Sequence, residues 1–126
     1  LDAILTAKDI NRAESMGVSL SAEDENTIYI PVANRRPIGT ALIFPVNHQD
    51  KVFFLLIATD RQLNISKVVP LNADQLPKEV KPNLFQTFVG TPLQSITLLE
   101  GKSVEASITQ AVKKAGTLVY IRLKGA

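Results

Sequence analysis

The stretch Lys51-Val-Phe-Phe-Leu-Leu-Ile-Ala-Thr59 contains the longest apolar run of the chain, residues 52–58, and it decides the fold class. A run of this length is typical of a core strand and falls well short of the roughly eighteen apolar residues of a membrane helix. Because almost every side chain in it is apolar, we predict a central strand whose two faces are both covered.

Further strands are predicted on either side of this segment, separated by short polar turns. Pro31 marks the first of them as an edge strand or a strand with a bulge, and Pro45 is expected to close the second. Turns at 34–37, 46–50 and 60–64 join neighbouring strands and predict an antiparallel meander. The predicted strands are residues 27–33, 38–44, 51–59 and 65–71.

Helices are predicted before and after this meander. Residues 1–16 form the first, ended by Gly17, and residues 83–90 form a short one, ended by Gly90. Residues 93–99 are expected to be extended. From 104 to 123 the apolar positions fit one helical stripe, but Gly116 also fits the end of a helix followed by a strand. We favour one long helix.

The sequence therefore predicts a single α+β domain, in which an antiparallel sheet of about four to five strands packs against helices, including a long C-terminal one. Within the domain 1–126 we distinguish the N-terminal helix at 1–20, the strand meander at 27–71, and the helix, extended segment and C-terminal helix at 83–126. The size, 126 residues, and the hydrophobic content of 45% suit one globular domain.

Composition excludes several kinds of function. The net charge is only +2 and the Lys and Arg residues are scattered, which argues against nucleic-acid binding. The absence of cysteine removes thiol chemistry, and the single histidine, His48, lies in a polar turn-like stretch where it is expected to be solvated. We predict no metal site, no catalytic group and no membrane span in this chain.

The stretch Glu100-Gly-Lys-Ser-Val-Glu-Ala-Ser-Ile-Thr109 allows two interpretations. In the first, Ser103 or Glu100 simply caps the final helix. In the second, the unpaired N–H groups and partial positive charge of the helix start hold a phosphate, with hydroxyls from Ser103, Ser107 and Thr109. The residues alone leave both open.

The order of several motifs resembles the FMN-binding domain family, which includes flavin-carrying subunits of the Rnf complex and of sodium-translocating NADH:quinone reductase. Leu56–Asp60 followed by Ile65–Leu71 is similar to the family's V-x-x-D-x-x-x-x-I-x-x-V signature. Leu84–Gly90 resembles its F-x-x-Q-F-x-G element, and Arg35–Gly39 loosely resembles its hairpin. Glu100–Thr109 falls where the family carries its flavinylation motif, Asp-x-x-Ser-Gly-Ala-Thr.

The resemblance implies FMN as the cofactor, bound covalently or non-covalently near the start of the last helix. Ser107 would stand at the acceptor threonine, with Thr109 as second choice and with Ser103 and Ala106 as further cofactor-binding residues. Side chains that the resemblance brings into consideration beside the flavin ring, each also compatible with an ordinary core or capping role, are Tyr29, Phe44, Phe88, Thr59 and Thr91.

The implied function is electron transfer, without turnover of its own, in a periplasmic or otherwise extracytoplasmic redox chain with a membrane-bound partner protein. The first residue is Leu1, which is compatible with a removed signal or anchor. Glu105 stands where the motif has glycine, and residues 72–82 lack the family's glycine-rich segment. These departures favour an alternative, a cofactor-free structural or interaction module that docks to a membrane redox or assembly partner.

Overall fold

The computed structural model describes residues 1–124, and it has the predicted α+β class. A three-stranded antiparallel sheet carries the long C-terminal helix across one face, and two ribbons of two short strands each complete the strand content. The main sheet is therefore smaller than the four to five strands expected. The strands are β1 (Asp2–Ala3), β2 (Asn26–Thr27), β3 (Val32–Ala33), β4 (Arg36–Pro37), β5 (Thr40–His48), β6 (Lys51–Thr59) and β7 (Ile65–Pro70), and the helices are α1 (Ala7–Ser15) and α2 (Val104–Leu123).

Strand β6 lies at the centre of the main sheet, in the order β5-β6-β7, as predicted. Its pairing with β5 runs from Thr40 opposite Thr59 to His48 opposite Lys51, across a two-residue turn. The prediction that Pro45 closes β5 is wrong, because the strand continues through it to His48. Proline has no N–H to donate, and β5 tolerates it because β5 lies at the edge of the sheet.

The two faces of the main sheet differ in burial, so the prediction that β6 is covered on both faces is wrong. Phe53, Leu55 and Ile57 are buried in the core beneath α2, whereas the alternate residues Val52 and Phe54 are exposed. Side chains alternate between the two faces of a strand. The apolar run therefore supplies one core face and one largely uncovered apolar face.

Residues 27–33 do not form the continuous strand that was predicted. Only Asn26–Thr27 and Val32–Ala33 are strand pieces, and Tyr29 makes an isolated bridge to Ala41. The two pieces pair with different partners, β1 and β4. Pro31 lies between them, where the missing N–H interrupts a ladder.

The first helix is shorter than the predicted 1–16. Residues 2–3 pair with β2 instead, and α1 begins after Thr6. The hydroxyl of Thr6 accepts from the backbone N–H of Asp9 at 3.2 Å, and the Asp9 carboxylate accepts from the N–H of Thr6 at 3.0 Å. This reciprocal capping box fixes where the helix starts.

The C-terminal segment is one continuous helix, as predicted, and Gly116 lies inside it. A Cβ at Gly116 would lie 3.2 Å from side-chain atoms of both Leu93 and Ile96, which explains a glycine at this close crossing. Leu93–Ser95 forms a 3₁₀ turn rather than the expected extended chain, and Phe85–Phe88 forms another. Within residues 1–124, no helix has both the length and the apolarity that crossing a membrane requires.

Candidate functional site

Two polar side chains of the main sheet face the start of α2. Leu42, Phe44 and Val46 are buried on the helix side of β5, and alternation places His48 on that same side. Lys51 pairs with His48 across the turn and shares its face. The register of the β5–β6 hairpin therefore brings an imidazole and an ammonium group to the amino end of α2.

A cavity of about 370 Å³ lies beside these residues and the first turn of α2. This volume is within the range of small-molecule sites, roughly 300–1,000 Å³. Sequence reasoning had assigned no role to its lysines: Lys51 begins the predicted core strand, and Lys102 lies within the stretch 100–109 between the residues that were considered. Its walls are formed by His48, Gln49, Lys51, Pro77, Glu79, Lys102, Ser103, Val104 and Glu105.

The start of α2 is capped in part and open in part. Ser103 is the N-cap, and its hydroxyl accepts from the N–H of Ala106 at 3.1 Å. The N–H of Ser107 bonds to the carbonyl of Ser103. The amides of Val104 and Glu105 have no partner within the helix, since the first N–H groups of any helix lack one. Both residues line the cavity, where the helix start carries partial positive charge.

The hydroxyl of Ser107 contacts the Nδ1 atom of His48 at 3.0 Å, and both residues are partly buried. The expectation that His48 is a solvated turn residue is therefore wrong. It is the last residue of β5, since the strand continues past Pro45. The pair joins positions 59 apart in sequence, so no local spacing announces it.

The other predicted flavin-binding residues do not gather in this cavity. Thr109 is 3% exposed, and its hydroxyl donates to the carbonyl of Glu105 at 2.8 Å. It lines a different cavity together with Phe88 and Thr91. Ala106 is buried, and its backbone N–H donates to the hydroxyl of Ser103. Of the four residues predicted to bind the cofactor, only Ser103 lines the cavity at the helix start, and Ser107 contacts His48, which also lines it.

The predicted ring neighbours are dispersed as well. Phe44 is buried and lines a smaller cavity with Ser107. Tyr29 bridges to Ala41, and Thr59 pairs with Thr40, both at the other end of β5 from His48. At about 3.3 Å per residue, this separation is roughly 23–26 Å. Phe44 lies beside Ser107, whereas Phe88 and Thr91 lie beside Thr109.

In comparisons with protein-family models, with curated proteins and with solved structures, nothing matches this chain.

Proposed function

We propose that this protein binds FMN, with the phosphate at the start of α2, and passes electrons in an extracytoplasmic redox chain to a membrane-bound partner. One observation carries the proposal: Val104 and Glu105, whose helix-start amides have no partner within the helix, line a cavity that Lys51 and Lys102 also line. Helix-start amides, the helix dipole and ammonium groups all favour a phosphate. The motif order described above supplies the reason for choosing a flavin phosphate.

The charges around the cavity explain why the backbone amides matter. Two ammonium groups, from Lys51 and Lys102, face two carboxylates, from Glu79 and Glu105. Like charges about 4 Å apart repel by roughly 4 kcal/mol at an intermediate dielectric, so the carboxylates of Glu79 and Glu105 oppose a bound phosphate. With the side-chain charges nearly balanced, the N–H groups of Val104 and Glu105 supply the remaining attraction.

In this arrangement each residue has a defined task. The amides and lysines hold the phosphate of non-covalently bound FMN. In the covalent form the phosphate lies instead on the Ser107 hydroxyl, which is the acceptor that the resemblance implies. FMN, when bound, supplies the electron-transfer chemistry, and the protein positions the ring and sets its potential. Phe44, one of the predicted ring neighbours, lines a cavity together with Ser107.

Expression beside a flavin transferase tests the covalent form of this proposal. We expect a yellow protein whose intact mass exceeds the sequence mass by one FMN less water, because the ester forms with loss of water. Ser107→Ala should remove the added mass. Ser15→Ala should keep it, because the Ser15 hydroxyl bonds to a backbone carbonyl on α1, away from the site.

A colourless protein of unmodified mass that also ignores added FMN would contradict the proposal. That result would favour the second candidate, a cofactor-free module that docks to a membrane redox or assembly partner. The uncovered face of the main sheet is the observation in its favour. Exposed apolar side chains there are Ile43, Val52 and Phe54, with Leu71 just beyond β7. Clustered apolar exposure is typical of contact surfaces.

A further inference from the structure

We propose that His48 and Ser107 form a base–nucleophile pair, which makes the Ser107 hydroxyl reactive towards small activated acyl donors. A serine hydroxyl is a weak nucleophile until an adjacent base accepts its proton. The 3.0 Å contact between Nδ1 and Oγ places such a base in reach. This inference does not rest on flavin binding.

The hydroxyl of Ser107 differs from the helical hydroxyls of Ser15 and Thr109 in what it contacts. Within helices, Ser and Thr commonly donate to the carbonyl three or four residues earlier. Thr109 bonds in this way to Glu105, and Ser15 to Arg12. Ser107 contacts an imidazole nitrogen instead. The β5–β6 hairpin therefore places an imidazole nitrogen beside the Ser107 hydroxyl.

The acylation step needs only Ser107, His48 and the acyl donor. With the imidazole proton on Nε2, Nδ1 accepts the hydrogen bond from Oγ. Oγ attacks the carbonyl carbon and forms the new C–O bond while its proton moves to Nδ1. The bond between that carbon and the leaving oxygen then breaks, and the leaving group takes the proton from His48. The product is an O-acyl serine and a free alcohol.

Access to Ser107 sets the size of the donor. Ser107 lines a cavity of about 130 Å³, with Phe44, Pro45 and Gln110 among its walls. Lys114 and Asp24, 3.6 Å apart, form an ion pair that also borders it. A cavity of this volume limits the part of the donor that reaches Ser107 to a short acyl chain, and any larger part of a molecule bound there lies outside it.

A methyl alkylfluorophosphonate with a short alkyl chain is the probe, because it mimics the tetrahedral acyl-transfer intermediate and loses fluoride when serine attacks. We expect one label per flavin-free chain, located at Ser107 by peptide mass mapping. General-base assistance contributes typically about 100-fold or more, so His48→Gln should slow labelling by about that factor. Ser15 should remain unlabelled. No label at Ser107, or an equal rate in His48→Gln, would overturn the proposal.

A second measurement keeps the test decisive if His48→Gln disturbs the hairpin. The chain has no cysteine, so Ser107→Cys introduces a single thiol beside His48. A neighbouring imidazole lowers a thiol pKa and speeds alkylation. We expect iodoacetamide to alkylate Ser107→Cys at least about tenfold faster than the matched Ser15→Cys variant. Equal rates would contradict the base role. Because both measurements omit flavin, they can fail while FMN binding succeeds, or the reverse.

Discussion

Phe53→Ala should lower the free energy of unfolding by about 3–5 kcal/mol, the usual loss when a buried phenylalanine is truncated. Phe53 is 1% exposed and belongs to the hydrophobic core. Truncation removes its transfer free energy and leaves a cavity that the surrounding strands only partly fill. The neighbouring Phe54 is 44% exposed on the other face and provides the matched control.

Urea denaturation of the two variants measures this difference. Phe54→Ala should cost less than about 1.5 kcal/mol, because much of its ring is already in water. Equal losses in the two variants would mean that the outer face is as deeply buried as the inner one. In that case the one-sided sheet described above would be incorrect.

Gly39→Ala should be at least as damaging, by about 3 kcal/mol or more, because it forces atoms into a neighbouring backbone. A Cβ on Gly39 would overlap the carbonyl oxygen of Thr59, which belongs to the paired strand β6. Backbone atoms cannot move aside as a flexible side chain can. The adjacent hydroxyl contact between Thr40 and Thr59, at 2.7 Å, would be disturbed with it.

Gly17→Ala separates this clash from the cost of backbone conformation. Gly17 has a φ of +82°, and an added Cβ there meets no atom within 4 Å. We expect a loss of about 1–2 kcal/mol, the cost of left-handed backbone for a residue with a side chain. Thermal unfolding of both variants measures the two losses of stability. A loss for Gly39→Ala no larger than that for Gly17→Ala would contradict the close approach.

The elements that the sequence predicts correctly are those whose local residue pattern favours the same structure as their tertiary contacts do. Strand β6 combines an apolar run with flanking turns, and α2 keeps a helical stripe despite Gly116. The segments 1–16 and 27–33 were assigned wrongly because pairing between distant residues decided them. Asp2 and Ala3 pair with Thr27 and Asn26, which no local pattern indicates.

In the candidate site, too, the features set by local interactions could be predicted from the sequence, and those set by contacts between distant residues could not. Ser103 is the N-cap, as its residue type and position suggested, because capping is a local interaction. The approach of His48 to Ser107 and the orientation of Lys51 depend on the register of the β5–β6 hairpin and on its packing against α2. A one-residue change in register would turn both side chains to the opposite face. Such features follow from the tertiary structure rather than from motif spacing.

Fluorescence titration with FMN and with riboflavin tests the central claim most directly, because the two ligands differ only in the phosphate. We expect FMN to bind at least about tenfold more tightly, a difference of about 1.4 kcal/mol. Lys51→Ala should reduce that preference. Lys67→Ala should leave it unchanged, since Lys67 is exposed and pairs with Ala58 on the outer face of the sheet. Equal affinity for the two flavins, or no binding of either, would contradict a phosphate site at the start of α2.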